Sequence, residues 1–307
     1  MIINRRISKT VLSLLIMGIL AIGFYSCGDS EDANETENID KKINDEIDDI
    51  GSTTLQVDGA LFSIPSPYEI AFLVKNQRID FNKEFLNSVN RSHNYVNNYK
   101  KALNLGVYGA DLGYLNIYEQ TPDAVSYFSA IKILSQELDI SNAFNNETIS
   151  SIEKNMGNKD SLLYIISNTY RKADKYLKDN NRNDLGVLIL TGGWLESFHI
   201  LVQIAQTDKN PQVIKRIGEQ KYPLENLITI LNPFYNESTE YGKLIDQLVE
   251  LAYIFDGIDV EYTYIKPKVD AKNKLTVINS TSELVMSDEQ LIMISEKLTE
   301  IRSNIIE

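Results

Sequence analysis

A helical rhythm runs almost unbroken from Pro67 to Asp256 and returns over 287–305, and it limits what this chain can become. Tyr127, Ile131, Leu134 and Leu138 step by four, three and four. Leu244, Leu248, Leu251 and Phe255 do the same, and Leu291, Ile294, Leu298, Ile301 and Ile305 continue the pattern. Each set forms one apolar stripe that has to be buried against a neighbour. The spacing predicts helices over 67–77, 80–90, 92–118, 122–138, 146–155, 160–179, 183–206, 211–218, 223–234, 238–256 and 287–305. Start signals support several of them. Thr121-Pro122 and Asn210-Pro211 place a capping residue before a proline, Asp160 precedes Ser161, and Ser287 with Gln290 has the spacing of a capping box. Short connections between helices favour antiparallel neighbours. The expected class is all-α, an antiparallel helical bundle or array.

Two stretches depart from the rhythm. Residues 53–66 alternate weakly around Asp58-Gly59, a turn pair, which predicts an extended entry or small hairpin. In 257–283, Val260, Tyr262, Tyr264 and Lys266 alternate, and Pro267 leads through a polar turn to Leu275 and Val277. A short β excursion near 258–280 is expected there.

The N-terminus carries an address. Arg5, Arg6 and Lys9 precede the uncharged run Val11–Phe24. That run would span roughly 21 Å as a helix, short of a ~30 Å hydrocarbon core but suited to a signal peptide. Ser26 is small, and Cys27 is the only cysteine in the chain, which rules out an internal disulfide. The segment resembles a bacterial lipoprotein signal with Phe24-Tyr25-Ser26-Cys27 as its lipobox, although the usual box is aliphatic where Phe24 stands and small where Tyr25 stands. The resemblance implies cleavage after Ser26 and lipidation of Cys27. Residues 28–50 contain ten acids and two lysines, Lys41 and Lys42, a composition that favours a solvated tether over a packed element. Asp29, Glu31 and Asp32 directly after Cys27 resemble the surface-export signal of Bacteroidota lipoproteins; a plain spacer is the alternative. The expected organisation is a signal peptide at 1–26, a tether at 27–52 and a single helical domain at 53–307.

Charge narrows the partners. The chain carries a net charge of −13, and loss of Arg5, Arg6 and Lys9 with the signal takes it to −16. Phosphate backbones repel such a chain, so nucleic acid is not an expected partner. The expected partners are a membrane, reached through the lipid anchor, and a protein of unknown identity. The expected location is the outer membrane, with the leaflet left open.

Two glycine-bearing segments align without gaps at an offset of 80. Leu105/Leu185, Gly106/Gly186, Val107/Val187, Gly113/Gly193 and Leu115/Leu195 are identical, and Tyr114/Trp194 and Tyr118/Phe198 are both aromatic. This raises an internal duplication of 92–139 and 172–219, with chance similarity as the alternative. Glycine inside a helix costs up to ~1 kcal/mol relative to alanine, and close helix–helix approach is the usual compensation. The two segments are therefore expected to meet at the centre of the fold. The strings ALNLGVYGADLGYLNIYEQ (102–120), KDSLLYII (159–166) and LTGGWLESFHI (190–200) resemble a family of Bacteroidota envelope lipoproteins without an established activity. That resemblance, over about 64–252, implies a helical fold and an anchored envelope location.

Asp111 and Glu196 lie in the two segments. If the segments face each other, the two carboxylates can share a pocket with Tyr114, Trp194 and His199, and paired carboxylates can do acid–base work or hold a cation. Glu196 and His199 have the spacing of a Glu-x-x-His metal motif, but Asn116 stands where a second copy needs its acid. No metal site or cofactor is therefore expected. The acids of Asp256–Glu261 lack EF-hand spacing, and Asp160-Ser161-Leu162 fits a Bacteroidota O-glycosylation tripeptide. No nucleophile arrangement, P-loop or dinucleotide fingerprint is present. The expected function is non-enzymatic, an envelope lipoprotein that binds or scaffolds a partner. The alternative is a ligand-binding or hydrolytic protein working through the five pocket residues.

Overall fold

The computed structural model describes residues 52–307 apart from 58–59, 66, 142–149, 271, 273 and most of 153–181. The leader, Cys27, the acidic segment to Gly51, the Asp58-Gly59 turn and Asp160 lie outside the described residues. So do the O-glycosylation tripeptide apart from Ser161, half of the helix expected over 146–155 and most of that expected over 160–179.

The molecule is mostly helical with a few short antiparallel strands. A hairpin, β1 (Ser52–Val57) and β2 (Ala60–Pro65), opens the described chain. Helix α1 (Pro67–Asn76) follows, then α2 (Asn98–Ile117), α3 (Thr121–Glu137) and α4 (Asn183–Asp208). Next come α5 (Pro211–Gly218), α6 (Lys221–Leu231) and α7 (Thr239–Asp256). A strand ribbon precedes the last helix, α8 (Asp288–Ile306). All three apolar stripes read from the sequence are buried. Asn210 accepts from the amides of Gln212 and Val213, and the Ser287–Gln290 capping box closes in both directions.

One expected helix and the starts of two others need correction. Residues 80–90 form no α-helix. Two 3-10 turns, Lys83–Phe85 and Val89–His93, stand in and around that range, and α2 begins only after Asn97, not at 92. Asn82 and Ser88 account for this. Their side chains accept from the amides two residues on, Glu84 and Asn90, which offers the backbone a local alternative to helix. Helix α3 also starts one residue earlier than expected, at Thr121, with Gln120 as its cap and no side-chain capping bond.

The centre of the fold is the contact between α2 and α4. As α2 advances from Leu103 to Gly106, the residues facing it on α4 run back from Gly192 to Ile189, so the helices are antiparallel. A Cβ on Gly106 would lie 1.9 Å from the Ile189 carbonyl oxygen, and one on Gly192 would lie 1.9 Å from that of Leu103. Only glycine lets the backbones come this close. The two glycine-bearing segments thus meet as expected, with contact at Gly106 and Gly192. Helix α4 is long and apolar enough to cross a membrane, but 89% of its most apolar window is buried inside the protein. A helix apolar all round is what the middle of a helical fold requires. Helix α8 packs on α4, α7 and α2, and α1 packs on α2 and α4.

The β excursion is longer than the sequence suggested and is a nested ribbon. β3 (Asp259–Thr263) pairs with β6 (Thr281–Val285), and within them β4 (Lys268–Asp270) pairs with β5 (Leu275–Val277). Gly257 ends α7 just before it.

Candidate functional site

The strongest concentration of buried polarity lies where α2, α4 and α8 meet the irregular segment 79–95. Glu196, on α4, is wholly buried and is gripped by Arg302 of α8. Arg302 Nε donates to Glu196 Oε2 at 2.6 Å and Nη2 donates to Oε1 at 2.5 Å, a two-pronged contact that fits a planar carboxylate. The same Nη2 donates to the Phe85 carbonyl at 3.2 Å. One side chain therefore ties the last helix to α4 and to the first 3-10 turn.

Asp111, on α2, is also wholly buried, and its Oδ2 accepts from the Asn87 amide at 3.2 Å. Its Oδ1 is without a hydrogen-bond partner among the described residues. Burial, and next the Glu196 charge, push its carboxyl well above the ordinary range, while Arg302 and the Asn87 amide pull the other way. The surroundings therefore favour the protonated form of Asp111 beside the Glu196–Arg302 pair. His199 lies one turn beyond Glu196 and is nearly buried. Burial lowers its pKa to about 4, so the ring is neutral, and its Nδ1 lacks a hydrogen-bond partner among the described residues.

The other two expected pocket residues have partners of their own. Tyr114 stacks on Phe81 at 5.4 Å and accepts from the Asn82 amide at 3.1 Å. Trp194 packs on Phe198 and donates from Nε1 to Gln220 Oε1 at 3.0 Å. Asp111, Glu196 and His199 share one electrostatic neighbourhood, whereas Tyr114 and Trp194 are anchored to separate partners. Among the described residues, no group of three or more His, Cys, Asp or Glu side chains is placed to hold a metal ion.

The pattern of partners explains the cluster. Residues 79–88 are irregular, so their backbone groups need partners from outside. Tyr118 Oη donates to the Ile79 carbonyl at 2.6 Å, Tyr127 Oη to that of Asn87 at 2.8 Å and Tyr108 Oη to that of Ser88 at 2.9 Å. With Tyr114, Asp111 and Arg302, six side chains from three helices serve six backbone groups of this one segment. Asn104 extends the network, donating to the Ile305 carbonyl at 2.9 Å near the C-terminal end of α8. Arg302 is the participant that sequence reasoning missed. It is 106 residues from Glu196, and no local spacing announces it.

No protein-family model matches the chain, and comparison with curated proteins and with solved structures finds no similar protein.

Proposed function

We propose that this chain is an envelope lipoprotein, moored to the outer membrane by acyl chains on Cys27, whose helical domain binds or scaffolds a partner protein. One observation carries the reading: an uncharged run of signal-peptide length, Val11–Phe24, is followed closely by small Ser26 and then the chain's only cysteine. The lipoprotein modification supplies several acyl chains, enough for stable anchoring. The strings at 102–120, 159–166 and 190–200 add their resemblance to Bacteroidota envelope lipoproteins.

The buried cluster supports a non-enzymatic role. A reacting carboxylate has to meet its substrate, whereas Asp111 and Glu196 are fully enclosed and already engaged in holding 79–88 and α8. The rival reading, a ligand-binding or hydrolytic pocket at Asp111, Tyr114, Trp194, Glu196 and His199, draws no support from this arrangement.

Mass spectrometry of the protein from bacterial membranes tests the anchor. The expected N-terminal residue is a diacylglyceryl- and acyl-modified Cys27, and an unmodified thiol overturns the reading. Purification from detergent-solubilised membranes tests the role: a stoichiometric companion protein is expected, and a lone monomer counts against it.

A further inference from the structure

The ribbon 259–285 is at odds with the rest of the molecule. Every residue of β3 and β5 is exposed, so neither face of these strands is packed on the helical core. The exposed residues are nevertheless apolar and aromatic. Tyr262, Tyr264 and Leu275 are more than half exposed, and Val269 and Ile278 are each 71% exposed. A two-stranded ribbon is marginal in water without a surface to cover it. Its base is fixed to the domain: Leu284 packs against Gly218, and Gln290 Nε2 donates to the Gly257 carbonyl at 2.5 Å. The outer part projects from that base.

Charge indicates what covers it. Lys266, Lys268, Lys272 and Lys274 stand against one acid, Asp270, across 266–274 in a chain of net charge −13. All four lysines are exposed. A flat protein partner would cover one face of a ribbon, whereas a soft interface can close around both. Tyrosine, aliphatic and lysine side chains together are the composition that settles at the boundary between headgroups and acyl chains.

We propose that the outer ribbon, 262–278, docks into the anionic headgroup surface of a lipid bilayer. Tyr262, Tyr264, Val269, Leu275 and Ile278 enter the interface, and Lys266, Lys268 and Lys274 pair with lipid phosphates. Where Cys27 is lipidated, as proposed above, the membrane that holds the anchor is the bilayer the ribbon would meet. Docking would then fix the orientation of the domain as well as its distance from the bilayer.

The test uses the full mature protein purified in detergent and reconstituted into phosphatidylcholine vesicles, with or without one third phosphatidylglycerol. Flotation reads the anchor, and backbone hydrogen exchange across 260–280 reads the ribbon. At least tenfold slower exchange at 262–278 is expected in the anionic vesicles only. Replacing Lys266, Lys268 and Lys274 with glutamine should weaken docking roughly 100-fold, at about fivefold per lysine. Equal exchange in both vesicle types overturns the proposal, even if the protein floats. Protection that is already present in detergent assigns the cover to this chain itself, and protection that rises with protein density regardless of lipid charge assigns it to a second copy. Either result overturns the proposal. Protection on anionic vesicles without anchor-dependent flotation supports the ribbon and removes the anchor.

Discussion

Helix α2 and the terminal ribbon show opposite mismatches between side chain and surroundings. Ala102–Ile117 is buried without interruption, although it includes Asn104, Asp111 and Asn116. β3 and β5 expose every residue, although they include Val260, Tyr262, Leu275 and Val277. Most polar residues of α2 are explained inside the molecule, because Asp111, Asn104, Tyr108 and Tyr114 hydrogen-bond to backbone groups of segment 79–88 and of α8. The apolar residues of the ribbon have no such internal explanation. The contrast separates a region whose composition the fold requires from one whose composition points outward.

Breaking the Glu196–Arg302 pair is the harshest test of the first half of this contrast. Arg302→Met leaves Glu196 charged, buried and unpaired, and should cost about 3–5 kcal/mol in urea denaturation. Adding Glu196→Leu to that variant removes the stranded charge and should recover most of the loss. A neutral Arg302→Met would mean that the pair holds nothing together, which would return the cluster to the pocket reading.

The helix contact gives a test with a built-in opposite. Gly192→Ala drives a methyl into the Leu103 carbonyl and should cost about 3 kcal/mol, the upper end of overpacking penalties. Gly186→Ala meets only Leu177 Cδ1, at 3.7 Å, and should be neutral or stabilising by up to ~1 kcal/mol, since alanine is the better helix former. Equal melting temperatures for the two variants would contradict the backbone approach at Gly192.

How much of this was legible in the sequence follows from the range of each signal. Helix α5 could be read from Asn210-Pro211, α8 from Ser287 and Gln290, and the ribbon from the alternation after Val260, because each signal spans only a few residues. The meeting of the two glycine-bearing segments was also legible, since uncompensated glycines in helices imply close approach. Segment 80–90 misled because its apolar spacing suits a helix, while Asn82 and Ser88 divert the backbone into tight turns. In the candidate site, Asp111, Glu196 and Tyr114 were found, and Asp111 and Tyr114 both serve segment 79–88, but Arg302 was not found, and Trp194 is hydrogen-bonded to Gln220. Pairings across 106 residues leave no mark in local spacing, and Trp194, two residues from Glu196, turns to Gln220 instead.

Asp111 and His199 should also write opposing slopes into the pH dependence of stability. Raised above its unfolded value near 3.9, Asp111 binds a proton that the unfolded chain has lost, so its contribution falls as pH rises toward its folded value. His199, lowered to about 4, lacks a proton that the unfolded chain binds below about 6.5, so its contribution rises across that window. Where the windows overlap, the two slopes oppose each other, each at most about 1.4 kcal/mol per pH unit. Relative to the parent, Asp111→Asn should gain stability as pH rises above about 4, and His199→Gln should lose it between about 4 and 6.5. Parallel profiles for all three proteins would show that neither group is held in the stated ionisation state.

The smallest expected effect tests the other half of the contrast. Val269 and Ile278 have no cover from the described fold, so exchanging each for serine should change stability in detergent solution by no more than about 0.5 kcal/mol. Leu248→Ser or Ile294→Ser, at positions of zero exposure in α7 and α8, should cost several times as much, because transfer and cavity costs add to an unpaired hydroxyl. If the ribbon variants proved as costly as the core variants, the ribbon would have to be covered by the protein itself. The distinction between a composition explained from inside and one explained from outside would then fail. A near-zero effect on stability combined with lost protection on anionic vesicles would instead separate what the ribbon does from what holds the fold together.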